Sequence, residues 1–409
     1  MMFGYSRHEI LRFLTIVFIL LFNTYYQPID GRGGMGPIRY AMMGMAIALL
    51  PFCFKISKAV IFGFIYLATQ YLAAIFHPET IRWSTLLYSA ELILTYISLY
   101  HLIYVEKVFK IDQFIKVIRW LMIIYFGVFI TQQLFMLIGI RVFPLINMTY
   151  DVHRGFGCYS LSMEPSTFAR TMLVCYYAYI KCCEYKRGKG PFSLSELFSK
   201  PHRFITIIFL WMMCTMGSGT AFVCLIGLAA YFVRWNNWYY IVPTLLITYF
   251  VVLPSLHVEH LDRATKITTA MTTLDQQQVK EADGSGASRI SPLLNSLKAD
   301  FTKKETWFGY GVDYGRSNNT FVRQNGTLFD DYGVLFYMAS VAMNLACGYR
   351  FFSLAFLFCL MGVGGGTGTN IHYAYALMVL VTFVRYFYEN RFNLAIDEEG
   401  IKTDKETLS

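Results

Sequence analysis

Charged residues are scarce in this sequence. Asp, Glu, Lys and Arg make up only 15% of the 409 residues, whereas hydrophobic residues make up 56%. A soluble globular domain usually carries about 25% charged residues, so this composition excludes a soluble protein. Apolar runs recur from residue 11 to residue 387 instead of standing once near the start, which is unlike a secretory signal peptide ahead of a soluble domain.

Motifs typical of soluble enzymes and of metal sites are also missing. No Walker loop, Rossmann glycine motif or nucleophile elbow is present, so neither ATP hydrolysis nor serine-type hydrolysis is indicated. The nine cysteines show no repeated metal-ligand spacing, and the cluster of His257, Glu259 and His260 is a weak match to a metal site. We therefore expect no metal and no cofactor. The net charge is +9, and the basic residues cluster in short connections between apolar runs, as orientation in a bilayer requires. We therefore expect no nucleic-acid partner.

The apolar runs predict an all-α integral membrane protein with about 12 transmembrane helices in one bundle, since about 20 apolar residues cross a hydrocarbon core of about 30 Å. The predicted spans are 10–26, 38–54, 59–76, 84–105, 118–139, 165–182, 204–216, 219–233, 238–254, 332–347, 351–365 and 370–387. Residues 1–254 would hold helices 1–9, residues 255–330 a large outer loop between helices 9 and 10, residues 331–387 helices 10–12, and residues 388–409 a cytoplasmic tail.

One apolar stretch, 204–233, decides the orientation of the chain. As a single helix it would be about 45 Å long, well over the thickness to be crossed. We predict two short helices instead, with a break from Gly217 to Thr220, where glycine and hydroxyl groups allow the backbone to turn inside the protein. With this break the basic loops share the cytoplasmic side, both termini lie inside, and the loops at 140–164 and 255–330 face outward.

The first outer loop that could carry chemistry ends in RGFGCYSLSMEPSTFAR. Arg154 stands ten residues before Glu164, and Pro165 suits the first turn of the helix that follows. A cap on that helix is a sufficient explanation for Glu164, because an acid is favoured at a helix N-terminus. It does not explain Arg154 or the neighbouring His153.

The second outer loop carries Arg289 after a Gly/Ser stretch, and Arg323 after FGYGVDYG. Arginine presents a planar charged fork that matches phosphate oxygens in pairs. Arginines from two loops at the membrane surface therefore suit an anionic lipid headgroup. For any single arginine, solvated loop charge is the plain alternative.

In their order along the chain, these segments resemble the O-antigen polymerase and ligase superfamily, the Wzy-like bacterial glycan polymerases of the membrane GT-C type. RGFGCYSLSMEPSTFA resembles the third outer loop of the family, MGSGTAF its Thr-Gly-Ser break, GSGASRI the arginine segment of its large loop, and FGYG with GTLFDDYGVLF its Gly-x-Gly and acidic helix opening. The likeness covers helix order and loop sizes across most of the chain. Ligases of the superfamily carry a functional histidine before that last helix. This chain has none between His260 and His372, which favours a polymerase.

The resemblance implies polymerisation of undecaprenyl-diphosphate-linked oligosaccharide repeat units at the periplasmic face of the bacterial inner membrane. The lipid-linked glycan is donor and acceptor, and chain-length regulator and flippase proteins are expected partners beside the bilayer. On this hypothesis Arg154 and Arg289, with Arg323, bind the diphosphate. Glu164 or His153 takes the proton from the acceptor hydroxyl, without metal and with inversion. An O-antigen ligase and a lipid-linked oligosaccharide flippase remain the alternatives.

Overall fold

The structure, a computed structural model, is helical. It describes residues 6–24, 37–143, 148–149, 158–162, 164–233, 238–247, 251, 255, 300–312, 314, 327–350, 353 and 372–391. The α-helices are α1 (Arg7–Phe22), α2 (Pro37–Cys53), α3 (Lys58–Phe76), α4 (Trp83–Tyr104), α5 (Ile111–Leu137), α6 (Pro165–Arg187), α7 (Leu194–Leu197), α8 (Arg203–Thr215), α9 (Gly219–Ala229), α10 (Trp238–Ile247), α11 (Lys304–Phe308), α12 (Thr327–Met343) and α13 (His372–Glu389). Further short elements are 3-10 turns at Pro78–Thr80 and Ala230–Phe232, a π-helix at Asn344–Gly348, and the antiparallel strands β1 (Val142–Phe143) and β2 (Met148–Thr149).

Three described helices, α3, α4 and α5, are long and apolar enough to cross a membrane. Helix α3 exposes large apolar side chains, unlike a soluble amphipathic helix. Phe64 is 57% and Ile75 is 69% exposed, while the buried residues are mostly small or apolar and include Gln70. Apolar groups on the outside and a buried amide are compatible with a helical protein in a bilayer, where a polar group facing lipid is costly.

The helices divide into two compact units. The first unit comprises Met1–Ile38, Leu102–Phe232 and Val379–Ser409, and the second comprises Arg39–His101 and Val233–Met378. Each set of helices encloses a buried core of its own, and the predicted single bundle of about 12 spans stays a prediction. In the first, α6 packs against α5, α8 and α9; in the second, α3 packs against α12.

Helix α6 is the central helix of the first unit. It is buried on nearly all sides, and its aromatic residues stack on neighbouring helices: the Tyr176 and Phe209 ring centroids are 4.1 Å apart with planes 6° apart, and Tyr125 stacks on Phe168 at 5.6 Å. This helix is not among the three that are apolar enough to cross a membrane, although the sequence predicts a span at 165–182. Its Thr, Tyr and Cys side chains are covered by protein. Because these side chains do not face lipid, the helix does not need a strongly apolar sequence.

The predicted break between residues 204 and 233 is confirmed. Helix α8 ends at Thr215, Gly217 has a φ of +64°, and α9 begins at Gly219. Near the start of α8 the hydroxyl groups of Thr206 and Tyr176 are 3.0 Å apart, and just after α9 the Tyr231 hydroxyl donates to Glu184 at 3.0 Å. Tyr176 is the middle residue of α6 and Glu184 is near its C-terminal end. The start of α8 and the end of α9 therefore both contact the C-terminal half of α6, and the chain reverses between them at Gly217. With 13 residues, α8 is about 20 Å long, which is less than a full hydrocarbon core.

Candidate functional site

Four of the five predicted site residues, His153, Arg154, Arg289 and Arg323, lie outside the described residues. The weak histidine cluster at 257–260 and the predicted span at 351–365, apart from Ser353, do as well. The role of the arginines in binding diphosphate therefore stays a prediction. Glu164 is described, and so are residues 158–162 before it and the helix α6 after it.

Glu164 occupies the cap position before α6, in an extended conformation with φ −153° and ψ 159°. Its side chain does not make the backbone bond by which an acid caps a helix. The carboxylate instead accepts hydrogen bonds from the hydroxyl of Ser166 and, at 3.4 Å, from that of Thr167. The plain explanation, a capping carboxylate, is thus weaker than the sequence suggested, and Glu164 is an exposed acid at a helix N-terminus.

The loop that precedes Glu164 is fixed to α5 by one buried glutamine. The Gln132 amide donates to the Ser160 carbonyl at 3.1 Å, and its oxygen accepts from the Ser160 N–H at 2.9 Å. The Ser160 hydroxyl donates to the Tyr125 carbonyl at 2.7 Å, and Ser160 has a φ of +51°. Both polar groups of the loop backbone are therefore satisfied inside the helical unit, which holds the start of α6 in place.

Gln133, the next residue of α5, contacts the end of α8, directly before the MGSGTAF motif. Gln133 donates to the Thr215 hydroxyl at 2.9 Å and accepts from the Trp211 indole N–H at 3.1 Å. Thr215 is the last residue of α8, one residue before the MGSG turn. Consecutive glutamines therefore bring the MGSGTAF turn and the loop before Glu164 to the same end of the first unit.

Cys158 lies in this loop and is buried. Its Sγ is 3.1 Å from the Sδ of Met136. Burial raises the pKa of the Cys158 thiol to about 12, because the apolar surroundings disfavour the thiolate. The group is protonated at neutral pH and is unsuited to act as a nucleophile.

Replacing Gln132 with leucine should displace the loop before Glu164. The Ser160 N–H and carbonyl would both remain buried without partners, at a cost on the order of 2 kcal/mol each. We expect a clear drop in the thermal unfolding temperature of the detergent-purified protein, together with reduced activity. Thr131→Val is the matched control, because the exposed Thr131 hydroxyl bonds only the Gly127 carbonyl of its own helix, at 2.8 Å. Equal unfolding temperatures for the two variants would contradict this role of Gln132.

In the second unit, the predicted FGYG and DDYG segments meet through their backbones. Gly309 has a φ of +74°, and a Cβ there would lie 2.3 Å from the Asp331 carbonyl oxygen. Gly333 has a φ of +76°, and its Cβ would lie 2.4 Å from the Trp307 carbonyl oxygen. The Gly311 N–H donates to the Asp331 carbonyl at 3.0 Å. Only glycine allows both the left-handed conformation and so close an approach of two chains.

Gly311, with a φ of +114°, lies in turn against the 3-10 turn that joins α3 to α4. A Cβ at Gly311 would lie 2.0 Å from the Thr80 hydroxyl oxygen and 2.8 Å from the Cβ of His77. Within the turn, the His77 ring and the Glu79 carboxylate are 3.1 Å apart. The Glu79 backbone N–H, and then the His77 ring, lower the pKa of the Glu79 carboxyl, which is ionised at neutral pH.

Sequence reasoning missed two polar features of these units. Gln132 and Gln133 stand together inside an apolar span, and this pairing in ITQQLF was the available signal. Arg39, at the start of the predicted span 38–54, is only 1% exposed, and its charge acts on the nearby Tyr88. A buried arginine in a predicted membrane span is a candidate functional residue.

The comparisons with known proteins add no relative. The chain matches no protein-family model, no curated protein and no solved structure. Its function is therefore inferred from its own residues.

Proposed function

We propose that the protein polymerises undecaprenyl-diphosphate-linked oligosaccharide repeat units at the periplasmic face of the bacterial inner membrane. The product is O-antigen, capsular polysaccharide or exopolysaccharide. About 12 spans place both termini in the cytoplasm and the loops at 140–164 and 255–330 outside. The three long apolar helices and the outward-facing apolar side chains of α3 support a membrane location.

The observation that carries the proposal is the pairing of the segments that resemble the polymerase superfamily. In the first unit, Gln132 and Gln133 hold the loop before Glu164 and the turn after Thr215 at one end of α5. In the second unit, the backbone of Trp307 to Gly311 packs on that of Asp331 to Gly333. Motifs that are separated in the sequence are thus held together in the folded chain. This contact supports the resemblance, because motifs that matched by chance would have no reason to pack together.

The chemistry needs two kinds of group. In our proposal, the acceptor hydroxyl oxygen attacks the anomeric carbon of the donor sugar while the bond from that carbon to the diphosphate oxygen breaks. The leaving diphosphate keeps the bonding electrons, and Arg154, Arg289 and Arg323 stabilise its growing charge. Glu164 takes the proton of the acceptor hydroxyl, with His153 as the second candidate. One displacement inverts the anomeric configuration, and the protonated Cys158 thiol offers no covalent route.

The test is reconstitution of the purified protein in nanodiscs with lipid-linked repeat units as its only substrate. We expect glycan chains of increasing length, one undecaprenyl diphosphate released for each bond formed, inverted linkages, and the same rate with a chelator present. Chains that never exceed a single repeat would contradict the polymerase. A flippase would move labelled substrate across a vesicle membrane without forming bonds, and a ligase would form bonds only when a lipopolysaccharide-core acceptor is added.

A further inference from the structure

A stacked aromatic pair, one ring exposed and the other half-buried, lies on the glycine-bearing segment of the second unit. The rings of Tyr310 and Tyr314 stack with centroids 5.1 Å apart and planes 26° apart, and Tyr310 is 42% exposed. We call these two side chains the tyrosine platform. Within the part of the chain that the structure describes, most other strongly exposed aromatic residues lie in helices, as do Trp83 and Trp120, where a position at the lipid interface accounts for them.

The backbone below the platform is fixed before any ligand binds. Gly309 and Gly311 flank Tyr310. Gly309 makes the close contact with the backbone of Asp331, and Gly311 lies against the side chains of Thr80 and His77. The Tyr314 N–H donates to the Gly311 carbonyl at 3.1 Å, and the Phe308 ring packs on Phe76 with centroids 4.3 Å apart. A rigid pair of rings binds a flat partner with little loss of conformational entropy.

The turn packed against Gly311 carries charged and polar side chains. Gly311 rests on the turn that carries the His77 and Glu79 pair, and the Glu79 side chain is 64% exposed and ionised. Lys304 acts electrostatically on Glu79 and lies in α11, directly before the platform. If the two tyrosines belonged only to the aromatic belt at the membrane interface, a carboxylate near them would have no role. A pyranose ring offers an apolar C–H face for stacking and hydroxyl donors for a carboxylate, so it fits both groups.

We propose that the tyrosine platform and Glu79 form a saccharide-binding surface for the glycan part of the lipid-linked substrate. This deepens the proposed function and rests on it for the identity of the glycan. A tyrosine ring covers the apolar face of one sugar, and the Glu79 carboxylate accepts from a hydroxyl. The platform positions substrate and takes no part in bond breaking.

The probe is the repeat-unit oligosaccharide freed from its lipid by mild acid, so that neither the diphosphate nor the lipid contributes to binding. Saturation-transfer NMR on the full-length protein in nanodiscs measures its affinity. We expect the variant Tyr310→Leu with Tyr314→Leu to bind about tenfold more weakly, which corresponds to about 1.4 kcal/mol and is the size of one lost aromatic stacking contact. The variant Tyr310→Phe with Tyr314→Phe, which keeps both rings, should bind nearly as well as the wild type. Glu79→Gln should bind about threefold more weakly.

Trp83→Leu is the control for a lipid-facing role, since Trp83 is 65% exposed at the start of α4, directly after the same turn. It should leave oligosaccharide affinity unchanged. Equal affinity of the leucine double variant and the wild type would overturn the platform, even if the wild type polymerises glycan. The platform would also be overturned if the leucine double variant, like Trp83→Leu, reached the membrane in smaller amounts but kept its affinity for the oligosaccharide. Binding that needs the rings, in a protein that forms no glycosidic bonds, would instead uphold the platform and remove the polymerase.

Discussion

Gly309→Ala is expected to unfold the junction between the FGYG segment and α12. The added Cβ would lie 2.3 Å from the carbonyl oxygen and 2.4 Å from the carbonyl carbon of Asp331, and 2.4 Å from the Tyr332 nitrogen. These are backbone atoms, so no side-chain rotation relieves the clash. The φ of +74° adds strain for any residue with a Cβ. Together the two effects should cost on the order of 3 kcal/mol or more.

The measurement is thermal unfolding of the purified protein, together with the amount that reaches the membrane. Gly333→Ala should behave in the same way, because its Cβ would lie 2.4 Å from the Trp307 carbonyl oxygen at a φ of +76°. Gly139→Ala is the matched control: its φ is +81°, but nothing lies within 4 Å of the added Cβ. It isolates the conformational strain, about 1 kcal/mol. Equal unfolding temperatures for Gly309→Ala and Gly139→Ala would show that the close backbone contact does not form.

The sequence predicted the helices well because their signals are local. Apolar runs place α3, α4 and α5 within a few residues of their observed bounds, except that α5 starts at Ile111, seven residues before the predicted span. The break at Gly217 followed from length, since a helix over 204–233 would exceed the membrane. The position of Glu164 directly before α6 followed from Pro165 in the first turn.

Long-range contacts were beyond that reasoning. Hydropathy treats Gln132 and Gln133 as minor interruptions, and only packing shows that one holds Ser160 and the other Thr215. The two-unit division was missed for the same reason, because apolar runs do not state which helices share a core. The glycine motifs were noticed, but the partner of each glycine lies in a segment some twenty residues or more away, or hundreds in the case of Thr80.

Arg154→Ala and Arg289→Ala should each abolish long glycan chains while the protein still inserts into the membrane. The leaving diphosphate gains charge as its bond to the sugar breaks, and a group that binds it most strongly at that moment lowers the barrier. Removing one such donor should reduce the rate at least about 100-fold. Lysine at either position should rescue poorly, because a point charge does not reproduce the paired contacts of a guanidinium group. The measurements are chain length in cells and initial rate in nanodiscs.

Arg141→Ala is the matched control, since Arg141 is an exposed arginine in the same loop as Arg154 and should be replaceable without loss of activity. Glu164→Gln separates the two roles. It removes the proposed base, so the rate should fall about 100-fold or more, yet affinity for inorganic pyrophosphate should be kept, whereas the arginine variants should lose that affinity. Full-length polymer from both Arg154→Ala and Arg289→Ala would refute diphosphate binding by these arginines. Loss of pyrophosphate affinity in Glu164→Gln as well would mean that the loop before α6 had moved, because a carboxylate does not bind the anion.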